Sequence, residues 1–349
     1  MSSSFIHVVF TLRSTLGRLV AMSHPYVHPV VIKSPLLMAV TGLTCTALVT
    51  ACGTRSAYIA IDGSSTVFPL SAIAAEDFQV ATPAVQVRVG ASGTGGGFEK
   101  FCRGETDAND ASRSIKDEEA EACAAEGIDY LPLTMAIDAL TVVVSPENDW
   151  VDCLTLEQLR AIWEPDSAIT SWQQVDPSFP DVPMRLFGPG TDSGTFDYFT
   201  KEVNGEEGSS RTDFTPTEDD NVIVQGVSGS TGGMGYFGFT YYEENAERLK
   251  ALAIDAGEGC IVPSQATAQD GSYAPLSRPL YVYVSVPSMA RPEVRAFFDF
   301  YVRNDESIAL GAKFIPLNEE QKSQLAADYA GLVAQADAWK ATASPGTGS

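Results

Sequence analysis

Hydrophobic and polar positions come in short, regularly alternating blocks along most of this chain. Residues 58–61 form an apolar run of strand length, followed by a Gly-Ser-Ser-Thr segment and by apolar positions at helical spacing from 70 to 78. Residues 85–89 (Val-Gln-Val-Arg-Val) alternate with period two, 91–97 is rich in Gly, Ser and Thr, and a second helix is expected from Phe98. The same rhythm returns at 110–114, ahead of a helix over 117–125. A strand, a small-residue loop and a helix, repeated three times, predict an α/β fold with a parallel or mixed sheet.

Two further runs are β-branched, 140–144 (Leu-Thr-Val-Val-Val) and 280–284 (Leu-Tyr-Val-Tyr-Val). Between them lie a helix at 156–162, a loop and helix at 191–199 and a strand near 252–254; helical patterns at 294–302 and 318–340 follow. The layout predicts one lobe inserted into another. Residues 58–144 and 280–340 make the first lobe and 145–279 the second, with the two β-branched runs as hinge strands and 341–349 as a tail. Tyr236, Phe237, Phe239, Tyr241 and Tyr242 suggest a sugar platform at first sight, but aromatics among glycines beside a hinge read as packing. Trp150, Trp163 and Trp172 are read the same way.

The first 52 residues read as a processing signal. Lys33 precedes an apolar run over 35–49 that ends in Leu48-Val49-Thr50-Ala51-Cys52, the pattern of a lipobox with Cys52 as the lipid-bearing residue. The run is shorter than the ~20 residues a helix needs to cross a bilayer. A start at Met22 or Met38 fits equally well, and 53–57 is a linker. The expected location is the cell envelope, anchored to the membrane by lipid. Cys102, Cys123, Cys153 and Cys260 then remain, an even number in an oxidising compartment. Pairing Cys102 with Cys123 and Cys153 with Cys260 keeps each bridge inside one lobe and leaves the hinge free. Zinc is disfavoured, because there is no CxxC spacing and His7, His24 and His28 all precede Cys52.

Charge narrows the function. Lys and Arg total 22 against 45 Asp and Glu, a net charge of -23, which argues against nucleic acid. It does not argue against a small anion, since distant charge is screened beyond roughly 10 Å. An oxyanion held reversibly needs short donors converging from several sides, and helix N-termini carrying Gly, Ser and Thr supply them. Three loops qualify, around Ser65-Thr66-Val67, Ser92-Gly93-Thr94 and Ser193-Gly194-Thr195. No Gly-Lys-Ser or Gly-Lys-Thr occurs, so the Walker A reading fails, and secretion argues against a dinucleotide at the glycines of 93–97. A secreted phosphatase using Ser65 or Ser193 lacks a histidine base after Cys52. The chain is therefore expected to be no enzyme and to need no cofactor.

The succession Asp-Gly-Ser-Ser-Thr-Val-Phe-Pro from 62, Ser-Gly-Thr-Gly-Gly-Gly-Phe from 92, Ala-Ser-Arg-Ser-Ile-Lys from 111 and Gly-Pro-Gly-Thr-Asp-Ser-Gly-Thr-Phe from 188 resembles the PstS family of phosphate-binding proteins. Residues 224–242 match that family's late region, and the likeness covers 58–320. It implies a two-lobed type II periplasmic-binding-protein fold with two hinge strands, closing on inorganic phosphate and delivering it, as a monomer, to the membrane permease of a phosphate ABC transporter. By the resemblance, Ser65, Thr66, Val67, Ser92, Thr94, Ser193, Gly194 and Thr195 donate to phosphate. The chain departs from the family by carrying Arg113 where an acidic residue is usual and Pro189 where an arginine is usual. Arg113 is therefore expected to supply the cation and Asp192 to accept the proton of hydrogen phosphate. The competing uses are an ion pair of Arg113 with Asp107 or Asp110, and a capping role for Asp192. Sulfate or molybdate is the alternative ligand.

Overall fold

A computed structural model describes residues 57–343. The signal segment, Cys52 and the last residues of the tail lie outside the described residues; the helix that precedes the tail continues through 341–343.

The first stretch carries the three expected units in order: β1 (Ala57–Gly63), α1 (Phe68–Ala81), β2 (Val85–Val89), α2 (Thr94–Cys102), β3 (Ala108–Ala111) and α3 (Asp117–Ala125). Then comes the long β4 (Tyr130–Val144). The middle holds β5 (Cys153–Thr155), α4 (Leu156–Trp163), β6 (Arg185–Pro189), α5 (Gly194–Phe199), β7 (Thr215–Thr217), α6 (Asp220–Ser228), β8 (Gly233–Gly238), α7 (Phe239–Glu244), β9 (Lys250–Ala251), β10 (Ala253–Asp255), β11 (Cys260–Ile261) and α8 (Gln265–Gln269). The chain closes with β12 (Ser277–Ser285), α9 (Val286–Met289), α10 (Pro292–Arg303), α11 (Asp305–Gly311) and α12 (Glu319–Ala343).

Local chemistry accounts for several boundaries. Pro69 stands in the first turn of α1, where a missing N–H is harmless. Thr155 caps α4 by accepting from Gln158 N at 3.1 Å while Gln158 Oε1 accepts from Thr155 N at 3.0 Å, a reciprocal box that stabilises a helix start by about 1 kcal/mol. The helix expected from Phe98 begins earlier, at Thr94. Its glycines belong to the first turn because α2 must approach β1 closely: a Cβ on Gly97 would lie 2.5 Å from Gly63 Cα and 2.0 Å from Asn109 Oδ1. Of the glycines at 93–97, only Gly93, at φ 81°, sits in the left-handed region that glycine favours.

Nine strands form one large mixed sheet in the order β2-β1-β3-β12-β4-β8-β6-β7, with β9 also on β4, and β11-β10-β5 form a separate small sheet. β1 runs parallel to β2 and β3, β6 runs parallel to β8 and β7, and the antiparallel strands β12 and β4 lie between the two parallel sets. Among the described residues two large cores and two smaller apolar clusters lie along this sheet, the two large ones as expected for a two-lobed fold. One gathers Ile59, Leu70, Leu133, Val282, Phe297 and Leu332, so the C-terminal helices return to the first lobe. The other gathers Val142, Leu159, Trp163, Trp172, Tyr236 and Ile254. β4 serves both. Its residues up to Ala139 pack in the first core and pair with β12, and from Leu140 onward they pair with β8, with Leu140, Val142 and Val144 in the second core. The 140–144 run thus lies beyond the crossover, on the side of the second core.

Both expected disulfides are present. Cys102 is joined to Cys123, tying α2 to α3. Cys153 is joined to Cys260 across 107 residues, a loop long enough for roughly 4–5 kcal/mol in the chain-entropy account. Trp163, Trp172, Tyr236 and Phe237 are fully buried, consistent with packing roles.

Candidate functional site

The N-terminal ends of α1 and α2 open onto one cleft of about 690 Å³, and α5 faces them from the second lobe. Neither Val67, which precedes α1, nor Gly93, which precedes α2, provides a capping side chain. At α2 the first-turn N–H groups carry the positive end of the helix dipole and suit an anion, whereas at α1 Phe68 N donates to Ser64 O, Leu70 N donates to Val67 O and Pro69 has no N–H, so the donors there belong to the loop before the helix. Of the residues singled out in the sequence, Ser65, Thr66, Thr94, Arg113 and Gly194 line this cleft, joined by Ser64, Gly93, Ser112, Ser114 and Lys116.

Packing holds these loops in place. Ser64 N donates to Asp110 O at 2.9 Å, which fixes the turn after β1 on β3. Thr94 Oγ1 lies 3.3 Å from Ser112 Oγ and accepts from Ser112 N at the same distance, joining the second loop to the third. Thr66 Oγ1 lies only 2.8 Å from where a Cβ on Gly194 would stand, so glycine is what lets the α5 end approach the first lobe.

Other expected residues have different surroundings. Val67 is buried in the first core, which leaves its backbone N–H as its possible donor. Ser92 N and Oγ both donate to Asp62 Oδ1, at 2.9 and 2.8 Å, so its hydroxyl braces the loop from outside the cleft wall. Burial works to raise the Asp62 carboxyl, but hydrogen bonds from Lys100 and Ser92 hold it below its ordinary value. Ser193 Oγ accepts from Thr195 N at 3.2 Å, so the capping role falls to Ser193, and Asp192 is exposed and outside the lining.

Arg113 is in the wall, but its fork is occupied. Nη1 and Nη2 donate to the two oxygens of Glu119 at 2.8 Å each, and Nη1 also reaches Ser114 O at 3.1 Å. This is a bidentate pair with a residue of α3, neither Asp107 nor Asp110. Glu119 also accepts from Lys116 N, closing the start of α3. Burial opposes ionisation of Glu119, and the Arg113 and Lys116 hydrogen bonds bring its carboxyl below the ordinary value.

The sequence reading missed a second arginine. Arg278 on β12 stands directly opposite Asp138 on β4, donating from Nε and Nη2 to Asp138 Oδ2 at 3.2 Å each. Nη2 also lies 3.4 Å from Thr66 Oγ1, and the guanidinium carbon sits 3.5 Å from the centre of the Tyr198 ring. The available signal was a charge of each sign embedded in an apolar strand run, Asp138 before 139–144 and Arg278 before 280–284. The second-lobe wall is acidic, with Asp197, Glu202 and Glu207 alongside Lys201. Burial raises the Glu202 carboxyl, and burial together with Glu207 raises that of Asp197, so both hold a proton more readily than usual. Together these groups can cradle a small tetrahedral anion with hydroxyls and helix N–H groups while offering carboxyl acceptors nearby.

A family model described as a PBP superfamily domain matches residues 49–305. Protein SphX of Synechocystis sp. is 47% identical over 265 residues, covering 75% of this chain and 79% of its own length. The phosphate-binding protein PstS of Staphylococcus saprophyticus is 39% identical over 270 residues, covering 76% and 83%. Among solved structures, that of a possible phosphate binding protein from Planctomyces limnophilus superposes with a TM-score of 0.76 at 44% identity, covering 80% of this chain and 99% of that one.

Proposed function

The chain belongs to the PBP superfamily and, within it, to the PstS-type phosphate-binding proteins, and from that premise we propose that it is an extracytoplasmic receptor that binds inorganic phosphate between its lobes for an ABC importer. The observation that carries the reading is the convergence on one cleft of two helix starts without capping side chains, α1 and α2, opposite the Gly194 end of α5. Ser65, Thr66 and Thr94 supply hydroxyls, and the N–H groups of Val67 and Gly194 complete the cradle. Arg113 adds charge from the wall through what Glu119 leaves unengaged. Ser92, Ser193 and Thr195 act through the loops they brace. Asp192 stands outside the wall, so accepting the ligand's proton requires the segment before α5 to move inward.

The role is binding and delivery rather than catalysis, in keeping with relatives named as binding proteins. The partner is the membrane permease of a phosphate importer, met by a monomer held to the membrane through lipid on Cys52. Among the described residues no helix is long and apolar enough to cross a membrane.

Calorimetric titration of the phosphate-free protein with phosphate, arsenate, sulfate and molybdate tests the ligand. Phosphate and arsenate are expected to bind far more tightly than sulfate, because a carboxyl acceptor facing the anion accepts the proton of hydrogen phosphate and repels a fully ionised anion. Preference for sulfate or molybdate, or no binding of any oxyanion, would overturn the proposal.

A further inference from the structure

We propose that the principal positive charge presented to the anion is Arg278, on a strand at the crossover between the lobes, rather than Arg113 in the loop. The inference rests on the phosphate-receptor reading above and concerns which residue carries the charge.

The two guanidinium groups differ in what already holds them. Arg113 meets both oxygens of Glu119 at 2.8 Å in a parallel fork, the geometry in which a guanidinium is best neutralised. Arg278 shares one oxygen of Asp138 between two nitrogens at 3.2 Å, and among the described residues nothing accepts from its Nη1. Its side chain is 20% exposed and lines the cleft. Lys116 and Lys201 also reach the wall, but both are exposed side chains at its edge.

Position adds to availability. Arg278 and Asp138 are partners in the β12–β4 register, one residue before β4 passes from the first core to the second at Ala139 and Leu140. From there the guanidinium touches Thr66 of the first lobe and stacks on Tyr198 of α5 in the second. Stacking fixes the plane of the guanidinium and leaves its edge for hydrogen bonds, which the single charge of a lysine does not reproduce. Asp138 prevents an unpaired buried cation when no ligand is present. An anion held on the edge of Arg278 is bound where the two lobes meet, so its binding favours their approach.

The test compares phosphate affinity, by calorimetry, and phosphate-free melting temperature for the parent, Arg278→Ala, Arg278→Lys, Arg113→Ala and Asp138→Asn. Arg278→Ala is expected to lose at least about 30-fold in affinity, as for removal of a charged partner from a desolvated site, and at least tenfold more than Arg113→Ala. Arg278→Lys should recover only part of that loss. Asp138→Asn separates a ligand contact from a structural pair: with the competing carboxylate gone, phosphate should bind as tightly as to the parent or more tightly, even if the melting temperature falls. The proposal is overturned if Arg278→Ala binds within threefold of the parent, or if Asp138→Asn loses as much affinity as Arg278→Ala. Should Arg278→Ala not fold, Arg278→Lys decides, and parental affinity there overturns the proposal. Failure of the parent itself to bind phosphate would instead reject the receptor reading.

Discussion

Asp110 lies on β3 directly beneath the binding loops, fully buried, with Oδ1 taking a 2.7 Å hydrogen bond from Ser71 and Oδ2 without a partner among the described residues. Burial pushes its carboxyl up to about 8; the Ser71 hydroxyl pulls the other way and the charge of Asp62 adds to the rise. A carboxyl whose folded pKa is raised favours folding fully below its unfolded value near ~4, and that contribution is lost as pH rises toward about 8. Asn keeps the shape without the proton. Asp110→Asn is therefore expected to gain stability relative to the parent as pH rises from 4 to 8, measured by urea denaturation at several pH values. A constant difference across that window would mean that Asp110 is ionised in the fold. The composition of the loop showed an acidic residue at 110 but not its depth, because burial here depends on α1 and the Tyr301 side of α10 closing over β3.

At the scale of the element, α2 makes the second loop a binding feature. Its glycines are legible in sequence as small residues, yet two of them have different reasons. A Cβ on Gly97 would collide with the backbone of Gly63 and with Asn109 Oδ1, whereas a Cβ on Gly95 would meet Arg113 Nη2 at 3.6 Å, an ordinary contact. Gly97→Ala must push α2 away from β1 and is expected to lose about 1–3 kcal/mol of stability and weaken phosphate binding. Gly95→Ala gains helix propensity of about 0.5–1 kcal/mol and should melt at or above the parent temperature. Equal melting temperatures for the two variants in thermal denaturation would refute this account of the α2 contact.

For the whole molecule, the cleft is several times roomier than a tetrahedral oxyanion requires, and among the described residues β4 and the segment entering β12 carry the chain between the two cores of the large sheet. A clamp with this connection is expected to close by bending at the 139–140 and 277–279 crossings. Small-angle scattering should show the radius of gyration falling when phosphate saturates the protein. An unchanged radius at saturation would count against closure as the way the anion is enclosed.

The sequence by itself determined the α/β rhythm, both cysteine pairs and the small-residue loops. The rhythm and the loops follow from local periodicity and the side-chain types a helix start or an oxyanion needs, and the pairs from an even number of cysteines with each bridge kept inside one lobe. It also led to Ser65, Thr66, Thr94 and Gly194, which line the cleft. Tertiary structure alone decided which donors face inward, since Ser92 turns to Asp62 and Ser193 to its own helix. It likewise decided the partners of charge. Arg113 finds Glu119 six residues on, while Arg278 meets Asp138 across 140 residues of chain, and no local pattern specifies a strand register that places two such distant residues opposite each other.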